Sequence, residues 1–131
     1  MPLRVDFVSP EDMLYSGEAT MVIARTRGGG EIAFLEGHEP FIGSLQTSEV
    51  RVNSTDGGVR RFAVRGGFVS VTGSSVTVLS DEAQPAESIN PDTVRAQRAE
   101  AEAALATDPD DAFAKEDLRW ADLRLAVAAG A

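Results

Sequence analysis

Catalysis needs a nucleophile, a proton carrier or a set of metal ligands, and this chain carries few of any. His38 is its single histidine and cysteine is absent, so thiolate metal sites, cysteine nucleophiles and disulfides are excluded. A Ser-His-Asp arrangement would have to use His38, and no Gly-x-Ser-x-Gly elbow accompanies it. Gly28, Gly29 and Gly30 lack the spacing and the lysine of a phosphate-cradling loop. Zinc-ligand spacing is missing as well. The adjacent acids Glu11-Asp12 and Asp110-Asp111 read as turn and helix-start residues, because carboxylates are favoured near the positive end of a helix dipole. A non-catalytic module, with no metal and no obligatory cofactor, is expected.

The densest run of unusual residues lies between Gly28 and Leu45. Three glycines in a row reject regular structure and predict a turn or bulge. Ile32 to Glu36 then reads as a short strand, and Gly37-His38-Glu39-Pro40 reverses the chain. The result is a polar tip carrying Glu31, Glu36, His38 and Glu39 between the apolar shoulders Phe34, Leu35, Phe41 and Ile42. Such a tip is either a solvated hairpin corner or a docking edge for a partner. Composition alone does not choose.

Charge narrows the partners. With 12 basic and 21 acidic residues the net charge is −9, which argues against binding a phosphate backbone, so nucleic acid is not an expected partner. No run approaches the roughly 20 apolar residues of a membrane span, and the N-terminus lacks the pattern of a secretory signal. A soluble, intracellular protein without direct membrane insertion is expected, and a peripheral membrane assembly stays open.

The elements that must hold these residues fall into two parts. Leu3, Val5 and Phe7 alternate with Arg4 and Asp6, Met13-Leu14-Tyr15 and Ala19 to Arg25 follow, and Glu49 to Asn53 alternates again. Asp56-Gly57 predicts a tight hairpin, and further strands cover 59–65, 68–71 and 75–79. Eight or more short strands at such spacing predict an antiparallel β-sandwich over residues 1–87. Beyond it, alanine, arginine and acids dominate, and residues 88–131 read as an antiparallel two-helix hairpin. Asn90-Pro91-Asp92 and Asp108-Pro109 predict helix starts, giving helices at about 91–106 and 109–128. On the second, Ala114, Leu118, Ala121, Leu125 and Ala128 form a small-residue stripe suited to the first helix. Phe113, Trp120, Leu123 and Val127 form another, suited to a second contact.

Taken in order, Val8-Ser9-Pro10-Glu11, Leu14-Tyr15-Ser16-Gly17, Gly30-Glu31-Ile32-Ala33-Phe34-Leu35-Glu36-Gly37-His38-Glu39-Pro40, Gly66-Gly67-Phe68-Val69-Ser70-Val71 and Val76-Thr77-Val78-Leu79-Ser80-Asp81 resemble the epsilon subunit of F-type ATP synthases. That resemblance implies a rotor-stalk subunit on the cytoplasmic face of an energy-transducing membrane, coupling proton-driven rotation to ATP synthesis. It implies the gamma subunit and the membrane c-ring as partners, with Glu31 towards the ring and His38 towards gamma, beside the shoulder Phe41 and Ile42. It also implies a hairpin able to lie on the sandwich or to extend towards the alpha and beta subunits and restrain ATP hydrolysis, with Lys115, Arg119, Trp120 and Arg124 as its contacts. Asp92, Arg95 and Ala96 match an Asp-x-x-Arg-Ala pattern through which some members bind regulatory ATP. The departure is electrostatic: residues 88–131 hold nine acids against five bases, a net −4, which weakens an approach to an acidic partner. An independent β-sandwich ligand-binding module is the competing expectation.

Overall fold

The computed structural model describes residues 2–130, and among them the chain forms nine strands, one turn of 3-10 helix and two α-helices. The strands are β1 (Leu3–Val8), β2 (Met13–Thr26), β3 (Gly30–Phe34), β4 (Phe41–Ser44), β5 (Thr47–Ser54), β6 (Val59–Arg65), β7 (Phe68–Thr72), β8 (Ser75–Leu79) and β9 (Ala83–Pro85). After the 3-10 turn at Ala86–Ser88 come α1 (Pro91–Thr107) and α2 (Ala112–Ala129).

The expected Met13–Tyr15 and Ala19–Arg25 segments are one strand of 14 residues. Its first half pairs with β1, its second half with β3 along the same edge, and β5 takes the other edge. The ladder with β5 is irregular between Ala19 and Met21, where the Thr20 hydroxyl donates to the Asn53 carbonyl at 3.2 Å. A bulge of this kind bends a strand and raises its twist. Strand β2 therefore enters both layers: one is β4-β7-β8-β1 with the start of β2, the other is the end of β2 with β3, β5, β6 and β9. Pairing is antiparallel throughout except between β1 and β8, which run parallel.

Alternation along the strands builds one core between the layers. Leu3, Val5 and Phe7 face Val50, Val52, Phe62 and Val64, and the Phe7 and Phe62 rings lie 4.6 Å apart across the gap. A second, smaller cluster forms on the far side of β6, where Ala63 meets Ala86, Ile89, Val94, Trp120, Ala121 and Val127.

The helix ends follow their caps, with one correction. The Asn90 side chain accepts from the Asp92 and Thr93 amides, and Pro91 stands at the first helical position. For α2 the expected start at Pro109 is replaced: Asp111 is the cap, accepting from the Ala114 amide at 3.0 Å, and Pro109 stays in the connecting turn. The reason is local, because Asp108 caps the end of α1 through its amide and its carboxylate accepts from the Asp110 amide, which uses up the first start signal.

Gly67 ties the layers at a point where no side chain fits. Its φ is +122°, a Cβ there would stand 2.1 Å from the Leu79 carbonyl oxygen, and its own carbonyl accepts from the Leu45 amide. Gly67→Ala is expected to lower the unfolding free energy by at least about 2 kcal/mol through backbone strain and a backbone clash, read as a shift in urea midpoint. An unshifted midpoint would mean that the β7 turn relaxes freely.

Candidate functional site

Each layer of the sandwich has an outer face, and the two faces differ in kind. The outer face of the β3-β2-β5-β6-β9 layer carries the helical hairpin and a ladder of ion pairs. Arg25 holds Glu31 at 3.1 Å, Arg51 lies 3.8 Å from both Glu31 and Glu49, and Arg61 holds Glu49 at 2.5 Å. Glu31 is thus the outer end of a charged row, with its side chain half exposed.

The expected polar tip is divided by β3. Glu31 stands at the glycine-turn end, whereas His38 follows the other end, about 13 Å of strand away at ordinary rise per residue. His38 donates from Nδ1 to the Glu39 carbonyl at 2.7 Å and packs edge-on against Phe34 at 4.9 Å and Phe41 at 6.4 Å. Phe41 is half-buried with its ring folded over Gly43, and Ile42 is 78% exposed. Glu31 and His38 therefore stand at opposite ends of β3 and do not form one cluster.

The outer face of the β4-β7-β8-β1 layer carries no helix. Strand register sets Ser44, Phe68, Leu79, Val8 and Met13 side by side in one row across it. Phe68, Leu79 and Met13 are each about half exposed. Their neighbours on the same face, Ser70, Thr77, Asp6 and Ser16, are small or polar and continue the row that holds Ile42. Sequence reading did not single out Phe68 or Leu79 as site residues, although the period was there: Val69 and Val71, like Val76 and Val78, are core, so Phe68 and Leu79 must point the other way. Exposed large apolar side chains gathered into one row mark a protein interaction surface.

On the helical side, α2 lies against β5, β6 and the 3-10 turn, and α1 packs on α2. Of the small-residue stripe, Ala114 and Ala121 are buried, and Ala121 lies in the cluster that joins Ala63 of β6 and Val94 of α1. The aromatic stripe divides: Trp120 and Val127 face the sheet side, while Phe113 is 85% exposed. Arg124 is buried, its guanidinium 5.0 Å from the Trp120 ring centre and donating to Gln97 at 2.8 Å. Burial pushes the Arg124 guanidinium below its usual value, with Glu82 and Asp117 pulling it back and Arg65 adding to the fall. Lys115 and Arg119 are exposed, and Arg119 is paired with Glu116. Further straps are Arg65 to Asp117 at 2.9 Å, Arg60 to Glu87 at 2.8 Å and Arg98 to Asp122 at 2.5 Å.

Asp92, Arg95 and Ala96 are exposed on the first turns of α1, with Arg95 bound to Asp92 at 2.9 Å. A cavity of about 450 Å³ between the helices and the sheet is lined by Glu82, Glu100, Asp111 and Asp117 against Arg65 and Arg124, and none of the three residues borders it. No helix among the described residues is long and apolar enough to cross a membrane.

The β-sandwich domain of the ATP synthase delta/epsilon chain matches residues 2–86. Among curated relatives, the ATP synthase epsilon chain of Streptomyces coelicolor is 37% identical over 98% of this chain and 96% of its own length. That of Streptomyces avermitilis is 39% identical over 94% and 92%, and that of Brevibacillus brevis 38% over 79% and 77%. Among solved structures, a chain of the Euglena gracilis mitochondrial ATP synthase (OSCP/F1/c-ring) aligns with a TM-score of 0.78 at 22% identity, covering 99% of this chain and 82% of that one. A chain of the Tetrahymena thermophila central stalk and c-ring aligns with a TM-score of 0.63 at 12% identity over 98% and 97%. Both share the whole fold, sandwich and hairpin together.

The helix-sheet seam rests on Trp120, so Trp120→Ala is expected to destabilise the hairpin by about 3–5 kcal/mol. Amide exchange should quicken in α1 and α2 while β1, β2 and β5 keep their protection. Equal acceleration in both parts would show that hairpin and sandwich open only as one unit.

Proposed function

The chain belongs to the epsilon-chain family of ATP synthases, and we propose that it works there as a non-catalytic chain of the central stalk whose open sheet face grips the gamma subunit. The observation that supports this most is the row Phe68, Leu79, Val8 and Met13, three of them about half exposed, with Ile42 exposed in the neighbouring row, on a layer that carries no helix. A rotor part must be held against torque, and a flat sheet face presents its side chains on a rigid frame. His38, packed on Phe34 and Phe41 in the β3–β4 connection, stands at the end of the sandwich next to the strand that carries Ile42. Glu31, at the opposite end of β3, is the end we assign to the c-ring, and its two arginine partners hold its carboxylate in place. The chain would then sit peripherally, on the cytoplasmic face of the membrane, between ring and catalytic head.

Regulation is assigned to the hairpin, residues 88–131. Its seam with the sheet is an apolar cluster of Trp120, Val127, Val94, Ile89 and small residues, separate from the sandwich core and flanked by the pair Arg65 to Asp117, which supports a unit able to leave the sheet as a whole and extend towards the alpha and beta subunits. Only Lys115 and Arg119 offer exposed positive charge on α2 in the folded arrangement, since Arg124 is buried. Regulatory ATP is left out of this reading. Arg95 is taken by Asp92, Arg98 by Glu102 and Asp122, and the neighbouring cavity presents four carboxylates to an incoming triphosphate.

Phe68→Ser and Leu79→Ser are expected to leave the melting temperature nearly unchanged, because both side chains are half exposed, yet to weaken binding to the gamma-containing catalytic complex by about tenfold or more. Wild-type affinity in both variants would sink the docking assignment. For the hairpin, removing residues 88–131 is expected to raise ATP hydrolysis by the assembled enzyme about fivefold. An unchanged rate would end the regulatory role and leave docking standing.

A further inference from the structure

We propose that the open face selects a partner segment that is apolar and basic together: a large apolar side chain against Phe68 and Leu79, with a lysine or arginine beside it in an acidic cleft. This rests on the docking reading above and adds the chemistry of what docks.

The apolar row opens into a groove of about 310 Å³ walled by Val8, Pro10, Phe68 and Leu79. At Ser9, Pro10 and Asp81 that groove runs into a second cleft of about 450 Å³, which shares those three residues. The walls of the second cleft change sign. Glu11 and Asp12 from the β1–β2 turn face Asp81 and Glu82 from the β8–β9 turn, so four carboxylates line it against one cation, Arg124. Arg124 offsets only part of this charge: it interacts with Glu82, while its guanidinium donates to Gln97 and lies against the Trp120 ring.

On the layer that carries the hairpin the acids are matched: Glu31 with Arg25, Glu49 with Arg61, Glu87 with Arg60. In the cleft they are not. Glu11, Asp12 and Asp81 make no ion pair among the described residues, and the nearest cation to Glu82 is Arg65 at 3.9 Å. Gln84 lines the same cleft, and its side-chain oxygen is buried with no hydrogen-bond partner. Every unsatisfied group there is thus an acceptor, and the side chains that donate, accept nothing and carry a positive charge at any ordinary pH are those of lysine and arginine. Like charges held together are relieved by a cation that arrives with the partner, which gives register and encounter rate as well as affinity. The apolar groove alone would accept any exposed hydrophobe; the acidic flank restricts it to one with a positive neighbour. Trp120 and Arg124 of α2 close the back of the cleft, so it is complete only while the hairpin lies on the sheet.

The test uses the full chain and the gamma-containing catalytic complex stripped of it, titrated at about 50 and about 300 mM salt, which brackets strong and weak screening. Glu11→Gln, Asp12→Asn and Asp81→Asn combined should bind about tenfold more weakly at low salt and should lose most of the salt dependence seen for the wild type. Phe68→Ser should weaken binding at both salts alike, with the salt dependence intact. If the neutralised variant binds like the wild type at both salts while Phe68→Ser weakens binding, the acidic cleft is not a cation site and the docking face stands. If Phe68→Ser has no effect either, both the face and its chemistry are refuted. The three carboxylates are exposed, so the melting temperature should hold; should the triple variant fail to fold, Asp81→Asn alone carries the same comparison, with a smaller loss at low salt.

Discussion

Strand β2 belongs to both layers of the sandwich, and that sharing decides where everything else can go. A strand of 14 residues bent at one irregular step serves two layers without a long connection between them. Its two halves fix the planes of the layers, and their inner faces close on one core through Phe7 and Phe62. Each outer face is then left to its own use. Strand β6 shows how finely this is set: Phe62 and Val64 go inward, and Ala63 between them goes outward into the helical seam. A larger residue at 63 would hold the hairpin off; an alanine lets Ala121 and Trp120 come close.

The polar groups sort by face as well. Beneath and beside the hairpin the charges are matched in a ladder, Glu31-Arg51-Glu49-Arg61, as expected for a surface that needs no further partner. Exposed pairs of this kind contribute about 0–1 kcal/mol each, so they define geometry more than stability. The other face keeps apolar side chains in water and leaves carboxylates unmatched at its rim, which is a cost in the isolated chain. Most of the arginine pairs of the sandwich lie on the hairpin side, and the open face holds the pair Arg4 to Asp6.

Much of the fold was legible, because its signals are local. Asn90-Pro91-Asp92 states a helix start in three residues, and Asp56-Gly57 states a hairpin in two, with Gly57 at φ +93°. What the sequence hid is relational. Nothing near Leu3 or Ser75 announces that β1 and β8 run parallel, since partners 71 residues apart meet only through the whole topology. The tip between Glu31 and Pro40 looked like one corner because its acids are close in sequence, yet an intervening strand carries Glu31 and His38 to opposite ends. The docking row draws on β1, β2, β7 and β8, so each strand shows only one of its residues. Trp120 and Phe113 share a helical stripe, but Trp120 reaches the sheet side and is buried, whereas Phe113 in the first turn of α2 is 85% exposed.

The seam between hairpin and sheet is apolar, held by Trp120 together with Val127, Val94 and Ile89. Burying Trp120 contributes on the order of 3 kcal/mol and each of the three aliphatic side chains about 1.5–2 kcal/mol, while the surrounding alanines add little because they have few atoms to bury. The exposed pair Arg65 to Asp117 adds less than about 1 kcal/mol. Inverting a two-state population from mostly one form to mostly the other takes about 5.5 kcal/mol of differential binding. A seam of one aromatic anchor and three aliphatic side chains exceeds that range, so the hairpin would leave the sheet only where another surface covers the same side chains. The alanine-rich sequence of α1 and α2 favours helix independently of that contact.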